Sequence, residues 1–421
     1  MNDSFIAAGA LNESFIAPFE PIAVVGRGCV LPGALDPDQF WDNIAHGRVN
    51  LQTVQGFDEV FDPTGFHTDA EQVAASDPAL RWVLHAARAA LREAGRDGPH
   101  PRAGLILGNL GFPSRGLAGY AARVWLADHP DLLATLPEVS GVDARSRFCA
   151  GLPAHTAARA LGLGAGAMAV EAACASALYA IKIACDRLHD GMADLMLAGA
   201  VSGCDGLIIH LGFEALGGLS PTGQSRPFHR QADGLVPAEG AAIVALMRLR
   251  DAVDGRMPIH GVLRGVGLSN DGRTGGFLVP AEDGQIRAMR AAYDQAGFGP
   301  ETVSLLECHA TGTPVGDAVE ARATATFFAG HRDLPLGSAK SNVGHLLTAS
   351  GAAGLLKLLG AIQAGIRPAT AGAADPIGEL SAGPLRLLTA NEPWPGSRRA
   401  ALSAFGFGGC NAHLIVEAFD G

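Results

Sequence analysis

The chain has 421 residues, of which 48% are apolar and 17% charged, with a mean hydropathy of +0.20. This composition supports a large buried core and excludes disorder as the main state. The net charge is −11 and the basic residues form no run, which argues against binding to nucleic acid or an anionic membrane through charge alone. No run of eighteen apolar residues occurs and the first twenty residues lack Lys and Arg, so we expect neither a membrane span nor a signal peptide and predict a cytoplasmic protein.

The seven cysteines are scattered and odd in number, and no C-x-x-C pair occurs. This pattern argues against a disulfide framework and against a structural zinc site, so most of them should be small core residues. They are Cys29, Cys149, Cys174, Cys185, Cys204, Cys308 and Cys410. The 56 glycines and the 6% aromatic content are typical of closely packed α/β layers.

Three segments are predicted along the chain. Residues 1–20 repeat a ten-residue pattern, with 2–7 echoed at 12–17, and we interpret them as an extension outside the core. A frayed tail, an upstream start codon and a docking segment all remain open as explanations. A Pro-Ile pair opens a strand-like run at Pro21 and again at Pro258, which indicates two similar halves, 21–256 and 257–421. No Pro- or Ser-rich linker separates the halves, so we expect them to share one core.

Short β-branched runs alternate with helical patterns, which predicts crossover units around a mostly parallel sheet that is covered on both faces. Apolar residues recur on one face of 78–94, which predicts a helix with Pro78 in its first turn and Gly95 as its stop. Strands are predicted at 22–25, 105–107, 168–170, 195–197 and 303–306, and buried helices at 175–188 and 352–362.

Cys174 lies between a predicted strand and a predicted helix, in the segment Glu-Ala-Ala-Cys-Ala-Ser. Free N–H groups and the dipole at a helix N-terminus stabilise negative charge. The position therefore favours a thiolate with a lowered pKa and offers an N–H group to an oxyanion. The alternative is an inert buried thiol, which is what most lone cysteines are.

Two histidines occupy similar polar loops after short strands. His309 follows 303–306 and precedes Thr311 and Thr313, while His345 follows Lys340 and precedes a helix. Either histidine alone is typical of a satisfied core residue. Two of them in matching loops, together with one candidate nucleophile, indicate a catalytic set.

Phe407 lies among three glycines, including Gly406 and Gly408, between two strand-like runs. Glycine suits a bulged hairpin here, and it also suits a backbone that passes close to a substrate or moves. Motifs of other enzyme classes are missing: the third glycine of a dinucleotide fingerprint after Gly26 and Gly28, a Walker lysine motif and a G-x-S-x-G elbow. Dehydrogenase, nucleotidase and serine-hydrolase functions are therefore disfavoured.

At Cys174, His309, Lys340, His345 and the Gly-Phe-Gly-Gly tail, the sequence resembles β-ketoacyl synthases, the condensing enzymes of fatty-acid and polyketide assembly. The resemblance runs from about residue 21 to residue 417 and includes Ser-Pro-Thr-Gly at 220, Arg-Pro-Phe at 226 and Asn-Asp-Gly at 270. Within the family, Ala-Ala-Cys-Ala-Ser, Glu-Cys-His-Ala-Thr-Gly-Thr-Pro and 208–213 look most like ketosynthase domains of iterative polyunsaturated-fatty-acid, enediyne or glycolipid synthases.

The chain departs from the commonest polyketide pattern at three positions. Ala310 replaces the usual Gly, Cys410 replaces Thr, and Leu347 replaces an acidic residue. These departures leave the predicted catalytic set intact and bear on substrate class and local packing.

The resemblance implies a thiolase-like α/β fold, with duplicated halves in five layers, α-β-α-β-α, and a homodimer joined through the strand before Cys174. It implies decarboxylative Claisen condensation by an acyltransferase, with acyl and malonyl-type thioesters as substrates. No bound metal or nucleotide cofactor is expected. The implied partner is an acyl carrier protein, because its phosphopantetheine arm delivers the acyl groups in trans.

The resemblance also implies roles for individual residues. Cys174 takes the acyl chain, and Nε2 of His309 and of His345 stabilises the enolate. Lys340 and a balancing Glu320 support the histidines. The N–H groups of Cys174 and Phe407 form an oxyanion hole. Gly406, Phe407 and Gly408 form a gate to a hydrophobic acyl tunnel, and Phe213 belongs to the acyl pocket. Thr311 and Thr313 bind pantetheine.

Other members of such folds do not condense. Chain-length partners typically lack the cysteine, and gatekeepers that only transfer acyl chains often lack one histidine. The presence of Cys174, His309 and His345 together therefore favours condensation. Degradative thiolases use a second cysteine near the tail, but Cys410 occupies a position that holds Thr in synthases, so we predict that it packs.

Overall fold

The computed structural model describes residues 19–96, 98–135, 150–204, 206–272, 276, 278–381 and 383–421. The N-terminal repeat and Cys149 lie outside the described residues, so the predictions made for them stay predictions. The strands are β1 (Ile22–Val30), β2 (Ala103–Asn109), β3 (Ala167–Val170), β4 (Leu195–Ser202), β5 (Gly240–Arg248), β6 (Gly261–Asn270), β7 (Leu305–Glu307), β8 (Leu334–Gly337), β9 (Ile366–Arg367), β10 (Leu385–Leu387), β11 (Glu392–Pro393), β12 (Arg399–Gly406) and β13 (Cys410–Glu417).

The helices are α1 (Pro37–Ala45), α2 (Phe57–Val60), α3 (Ala70–Ala74), α4 (Pro78–Glu93), α5 (Arg115–Trp125), α6 (Pro130–Leu133), α7 (Leu152–Ala160), α8 (Ser176–His189), α9 (Gly206–Ala215), α10 (Leu249–Asp254), α11 (Glu282–Ala296), α12 (Pro314–Phe327), α13 (Lys340–Val343) and α14 (Ser350–Ala364). Short 3₁₀ turns occur at Pro300–Thr302, Leu347–Ala349 and Gly378–Leu380.

The strand order repeats between the two halves of the chain. The first half forms β3-β2-β4-β5-β1, and the second forms β8-β7-β12-β13-β6, with β10 added beside β8. In both halves the first three pairs of the order run parallel, parallel and antiparallel, and the last pair is antiparallel. A short antiparallel pairing between β1 and β6 joins the halves. The predicted duplication is therefore visible in the topology.

Five layers result from this arrangement. Helices α4 and α7 cover the outer face of the N-terminal part of the sheet, and α11 covers the outer face of the C-terminal part, with α12 packed beside it. Helices α8 and α14 lie between the N-terminal and the C-terminal parts of the sheet. Helix α8 packs on β4 of its own half and on β6 and β13 of the other half, and α14 packs on β12 of its own half, on β5 of the other half and on α8. The predicted thiolase-like fold class is confirmed.

The prediction of a mostly parallel sheet is wrong. Parallel and antiparallel pairings are equally frequent in the eleven-stranded sheet. The physical reason is that the last strand of each half, β5 or β13, pairs antiparallel with both of its neighbours, whereas parallel crossovers join only the other strands.

Two pairs of glycines give the halves the same close contact between strand and helix. A Cβ atom at Gly26 or Gly28 would lie 2.0 Å from a backbone carbonyl oxygen of α4, and a Cβ at Gly265 or Gly267 would lie 2.2 or 2.1 Å from one of α11. Because only glycine lacks this atom, the two Pro-Ile runs end in Gly-x-Gly for the same steric reason.

Helix α14 is the most apolar element of the middle layer. In the described part of the chain, one helical stretch, Leu347–Ala364, is long and apolar enough to cross a membrane. However, 89% of it is buried inside the protein. Its composition is therefore explained by its position between two sheets.

Candidate active site

The three reactive side chains predicted from sequence lie together between the halves. Cys174 precedes α8, His309 follows β7, and His345 lies between α13 and α14. Nε2 of His345 is 3.1 Å from Sγ of Cys174, and the two imidazole rings are 5.5 Å apart between centroids. One potential ligand atom from each of the three side chains lies within 4.8 Å of the others. The cluster therefore needs both halves of the chain.

A residue with positive φ lies beside each reactive side chain. The φ angles are +46° at Ala173, +26° at Ala310 and +45° at Leu347. Such angles are unfavourable for residues with a Cβ and concentrate at functional sites. The positive φ of Ala310 explains why glycine is usual at this position in the family that the sequence resembles. The three turns direct the side chains of Cys174, His309 and His345 toward one another.

His345 is held on several sides. Its backbone N–H donates to Val236 (2.7 Å) and its carbonyl accepts from Ala238 (2.9 Å). Its ring nitrogen Nδ1 is 2.8 Å from the hydroxyl oxygen of Ser350, and the imidazole is 1% exposed. The ring is therefore fixed with Nε2 toward Cys174.

The expected lowering of the Cys174 pKa is wrong. Helix α8 begins at Ser176, two residues after the cysteine, and the Cys174 side chain is buried. Burial raises the pKa of Cys174 to about 11, and the nearby positive charge of Lys340 only partly opposes this effect. Loss of hydration therefore has a larger effect on this pKa than the positive charge of Lys340.

Both histidines are neutral for the same reason. Burial lowers the pKa of His345 well below its usual value, and the positive charge of Lys340 lowers it further. Burial also lowers the pKa of His309, with additional contributions from Lys340 and His345. A neutral imidazole donates one hydrogen bond without bringing a positive charge into the site.

Glu320 acts on the backbone of the histidine loop. Its two carboxylate oxygens accept the N–H groups of His309 (2.7 Å) and Ala310 (2.6 Å). Burial raises the pKa of Glu320, and the nearby carboxylate of Asp317 raises it further. No ion pair between Glu320 and Lys340 is found among the described residues, and the two groups influence each other only through space.

Lys340 is 6% exposed and is influenced by several buried groups. Burial lowers its pKa, whereas Glu307, Glu320 and the Cys174 thiol raise it. Glu307 is the largest of these opposing influences and was not predicted as a site residue.

Glu307 links the middle layer to the Lys340 loop. One carboxylate oxygen pairs with Nζ of Lys357 at 2.6 Å, and the other accepts the N–H of Ala339 at 2.6 Å. Glu307 and Lys357 are 3% and 2% exposed. Single-sequence reasoning missed this pair because the residues are fifty positions apart and Lys357 lies within an apolar helix.

Asp317 fixes the threonine loop and was also missed. Its carboxylate accepts the N–H groups of Phe228 (2.7 Å) and Gly312 (3.2 Å). Burial raises its pKa to about 7, although both hydrogen bonds act in the opposite direction. The only sequence signal was an acidic residue in the first turn of a helix, which by itself indicates capping.

A cavity of about 300 Å³ opens onto this cluster. Its lining includes Cys174, His309 and His345, together with Thr311 and Thr313. The two threonine hydroxyls are 2.9 Å apart. The structure therefore places the predicted pantetheine-binding residues on the wall of the same cavity as the nucleophile.

The glycine-rich tail is a tight hairpin that joins β12 to β13. Gly408 has φ +79°, and a Cβ at Gly406 would lie 3.1 Å from the backbone N of Cys174. Gly408 thus permits the turn, and Gly406 permits the close approach of the hairpin to the backbone of Cys174. The Phe407 ring lines the cavity and lies 5.9 Å from that of Phe213, in an apolar cluster.

The Cys-His-His set is also of a type that binds zinc. In tetrahedral zinc sites, with Zn–S of about 2.3 Å and Zn–N of about 2.0 Å, the S and N ligands are about 3.5 Å apart. The 3.1 Å contact between Cys174 and His345 is shorter and has the length of a direct hydrogen bond to sulfur. The prediction that no metal is bound stays a prediction, which metal analysis of the purified protein tests.

Two family models match most of the chain. The model "Beta-ketoacyl synthase, N-terminal domain" matches residues 19–60 and 51–252, and "Beta-ketoacyl synthase, C-terminal domain" matches 260–374.

Several curated proteins are similar in sequence. The mycocerosic acid synthase-like polyketide synthase of Mycolicibacterium smegmatis is 33% identical over 94% of this chain and 20% of that protein. A phenolphthiocerol/phthiocerol polyketide synthase of Mycobacterium tuberculosis is 33% identical over 99% of this chain and 23% of that protein. The chain thus spans about a fifth to a quarter of the length of these relatives.

Solved structures are similar over the same region. A PfaC keto synthase–chain length factor structure superposes with a TM-score of 0.87 at 35% identity, covering 95% of this chain and 48% of that one. The ketosynthase from module 6 of the bacillaene synthase from Bacillus subtilis 168 gives a TM-score of 0.83 at 28% identity, covering 95% and 72%.

Proposed function

The chain belongs to the β-ketoacyl synthase family, and from that premise we propose that it catalyses decarboxylative Claisen condensation between a Cys174-bound acyl chain and a malonyl-type thioester on an acyl carrier protein. The observation that carries the proposal is the contact between Sγ of Cys174 and Nε2 of His345, with His309 beside them in one cavity. Polyketide assembly is the proposed setting, and fatty-acid assembly uses the same chemistry.

The first stage is transfer of the acyl chain to Cys174. The sulfur attacks the thioester carbonyl, the bond from the carbonyl carbon to the carrier sulfur breaks, and the cysteine proton ends on the departing carrier thiol. The Cys174 and Phe407 N–H groups are proposed to hold the carbonyl oxygen while it carries negative charge, and the absence of a Cβ at Gly406 keeps this space open.

The second stage forms the new carbon–carbon bond. A malonyl-type thioester loses carbon dioxide, and Nε2 donors of His309 and His345 stabilise the enolate oxygen. The enolate carbon then attacks the Cys174-bound carbonyl, and the cysteine leaves as a thiolate that takes up one proton. Neutral histidines suit this role, since they donate a hydrogen bond to the enolate without protonating its carbon.

Lys340 and Glu320 are proposed to support the reaction without contacting substrate. Lys340 sets the local potential at the sulfur and at both rings. Glu320 fixes the backbone that carries His309.

The substrate arm and the acyl chain are proposed to use opposite parts of the cavity. Thr311 and Thr313 would hydrogen-bond the amides of the phosphopantetheine arm, which arrives in trans. The acyl chain would enter the apolar cluster that contains Phe213, with Phe407 between its flanking glycines as the gate. Acylation of Cys174 without movement of Phe407 would argue against the gate.

A transfer-only gatekeeper or a noncatalytic ketosynthase-like partner is the alternative function. The presence of Cys174, His309 and His345 with reactive atoms within 4.8 Å of one another favours condensation over both. Thiolase-type acid/base chemistry at Cys410 is disfavoured because its thiol contacts Asn270 and Tyr179 and its pKa is raised by burial.

Mass spectrometry of the protein with acyl- and malonyl-carrier thioesters tests the proposal. We expect acylation at Cys174 and a product two carbons longer when malonyl is the extender. Cys174→Ala should lower turnover at least about a thousandfold, whereas Cys185→Ala, on the helix α8 that follows Cys174, should not. Acylation without decarboxylation under any extender would support the gatekeeper, and elongation by Cys174→Ala at the parent rate would overturn the mechanism.

The assembly is proposed to be a cytoplasmic homodimer joined through β3. This strand pairs with β2 on one side only within the described residues, and all four of its residues are partly exposed. An unpaired edge of this kind is open to pairing with a second copy. A measured solution mass equal to one 43.1 kDa chain would contradict the dimer.

A further inference from the structure

A hydroxyl lies on the side of the His345 ring that faces away from the nucleophile. Ser350 Oγ is 2.8 Å from Nδ1, while Nε2 is 3.1 Å from Sγ of Cys174. All three side chains are buried. The imidazole is thus held at both nitrogens, and the partner of one nitrogen decides what the other can do.

The local backbone brings this serine to the ring. Leu347 has φ +45°, and the 3₁₀ turn Leu347–Ala349 runs directly into α14, whose first residue is Ser350. Residue 350 therefore returns to residue 345 across a strained turn, which gives the hydroxyl a fixed position.

Hydrogen counting selects one tautomer. A neutral imidazole carries one hydrogen, on Nδ1 or on Nε2. If Nδ1 carried it, Ser350 would accept that hydrogen and its own buried O–H would need another acceptor. In the described part of the chain, Nδ1 is the one hydrogen-bond partner of Ser350 Oγ. A buried O–H without an acceptor costs more than a buried S–H without one, because the thiol of Cys174 is only a weak donor, so the serine donates to Nδ1 and the ring hydrogen lies on Nε2.

We propose that Ser350 is a positioning residue that holds His345 as the Nε2–H tautomer. The inference rests on the proposed function, in which this N–H lies against the Cys174 sulfur and then donates to the enolate oxygen. In this tautomer His345 takes no proton from Cys174, and the thiol proton ends on the departing thiolate of the incoming thioester.

The rate of Cys174 alkylation by iodoacetamide, followed on its peptide by mass spectrometry across pH, tests the role without requiring condensation. Ser350→Ala should slow alkylation at pH 8 about tenfold and raise the apparent pKa of Cys174, because the Nδ1–H tautomer turns a lone pair toward the sulfur. Ser350→Thr retains the hydroxyl and should restore the rate to within about twofold.

Thr348→Val is the matched control. Thr348 is buried two residues before Ser350, but its hydroxyl donates to the carbonyl of Val201 at 2.6 Å and not to the ring. The Thr348→Val variant should be less stable than the parent protein, but the pH dependence of its Cys174 alkylation should be unchanged. A parent-like profile in Ser350→Ala, or an equal shift in Thr348→Val, would overturn the proposal.

Nitrogen-15 NMR of histidine-labelled parent protein gives a second readout that needs no variant at Ser350 to fold. The His345 signals, assigned by their loss in His345→Gln, should show a protonated Nε2 and an unprotonated Nδ1. The opposite tautomer would refute the positioning role. A protein with the expected tautomer and alkylation profile that forms no elongated product would instead refute the proposed function.

Discussion

At the scale of residues, one buried charge acts on all three reactive side chains of the candidate site. The positive charge of Lys340 lowers the pKa of Cys174, although burial of the thiol raises that pKa by more. The same charge lowers the pKa of both histidines. The lysine therefore opposes the effect of burial on the pKa of the thiol and keeps both imidazoles neutral, and neutral imidazoles are what the proposed stabilisation of the enolate requires.

Lys340→Met should raise the apparent pKa of Cys174 by about one unit, because an opposite charge nearby favours the ionised thiol and its removal disfavours it. Alkylation at a fixed pH between 7 and 9 should slow about tenfold, with the loss recovered at higher pH. Lys182→Met, which removes an ammonium on α8 that pairs with Asp186, is the control and should leave the profile unchanged. A downward shift in Lys340→Met would contradict the electrostatic role.

The reactive residues could be predicted from sequence, but their ionisation could not. Cys174, His309 and His345 each follow a recognisable strand end, so their proximity was foreseeable. The raised pKa of Cys174 depends on how fully the turn is covered by the other half of the chain. The partners Ser350 and Glu307 reach the site across a strained turn and across the middle layer, and no local pattern encodes such contacts.

At the scale of elements, close approach between a strand and a helix explains two glycines in each half of the chain. Backbone carbonyls of α4 occupy the space where a Cβ at Gly28 would lie, so the strand and the helix are in contact without side chains between them. The equivalent contact in the second half uses Gly267.

Gly28→Ala should lower stability by about 3 kcal/mol, since its Cβ would lie 2.0 Å from the carbonyl oxygen of Ala86 and a helix backbone cannot rotate away as a side chain can. Thermal melting measures the effect. Gly212→Ala is the control: it lies within α9 with open space around it, and alanine there should stabilise by about 0.5–1 kcal/mol. Equal melting temperatures for Gly28→Ala and the parent would refute the contact.

Element positions were predictable where the pattern was long and local. The helix predicted at 78–94 is confirmed as Pro78–Glu93, with Asp77 capping it and Gly95 at φ +62° after its end. The strand predicted at 303–306 is displaced to Leu305–Glu307, because a 3₁₀ turn precedes it and its pairing with β12 begins only at Leu305. Long-range pairing thus determines where short strands begin and end, whereas the periodicity of apolar residues determines where long helices lie.

At the scale of the whole molecule, the two halves are similar in topology but not independent. The middle layer contributes α8 from one half and α14 from the other, and each packs on the partner half as well as on its own. The apolar cluster around these helices includes Leu178 and Leu356, which are 0% and 2% exposed. Separation of the halves would expose this layer to water and remove the histidines from Cys174.

We therefore expect that residues 19–256 and 257–421, produced separately, do not fold on their own, because each fragment would leave one face of its middle helix uncovered. Circular dichroism with thermal melting should show no cooperative transition for either fragment, and Cys174 in 19–256 should be alkylated with the pH dependence of an ordinary exposed thiol. Mixing the fragments during refolding should restore both a cooperative transition and the slow alkylation of a buried thiol, since the covering surfaces are then present again. A cooperative transition in either fragment alone would show that the halves are separate domains joined by a small interface, and the burial that raises the pKa of Cys174 would then need another source.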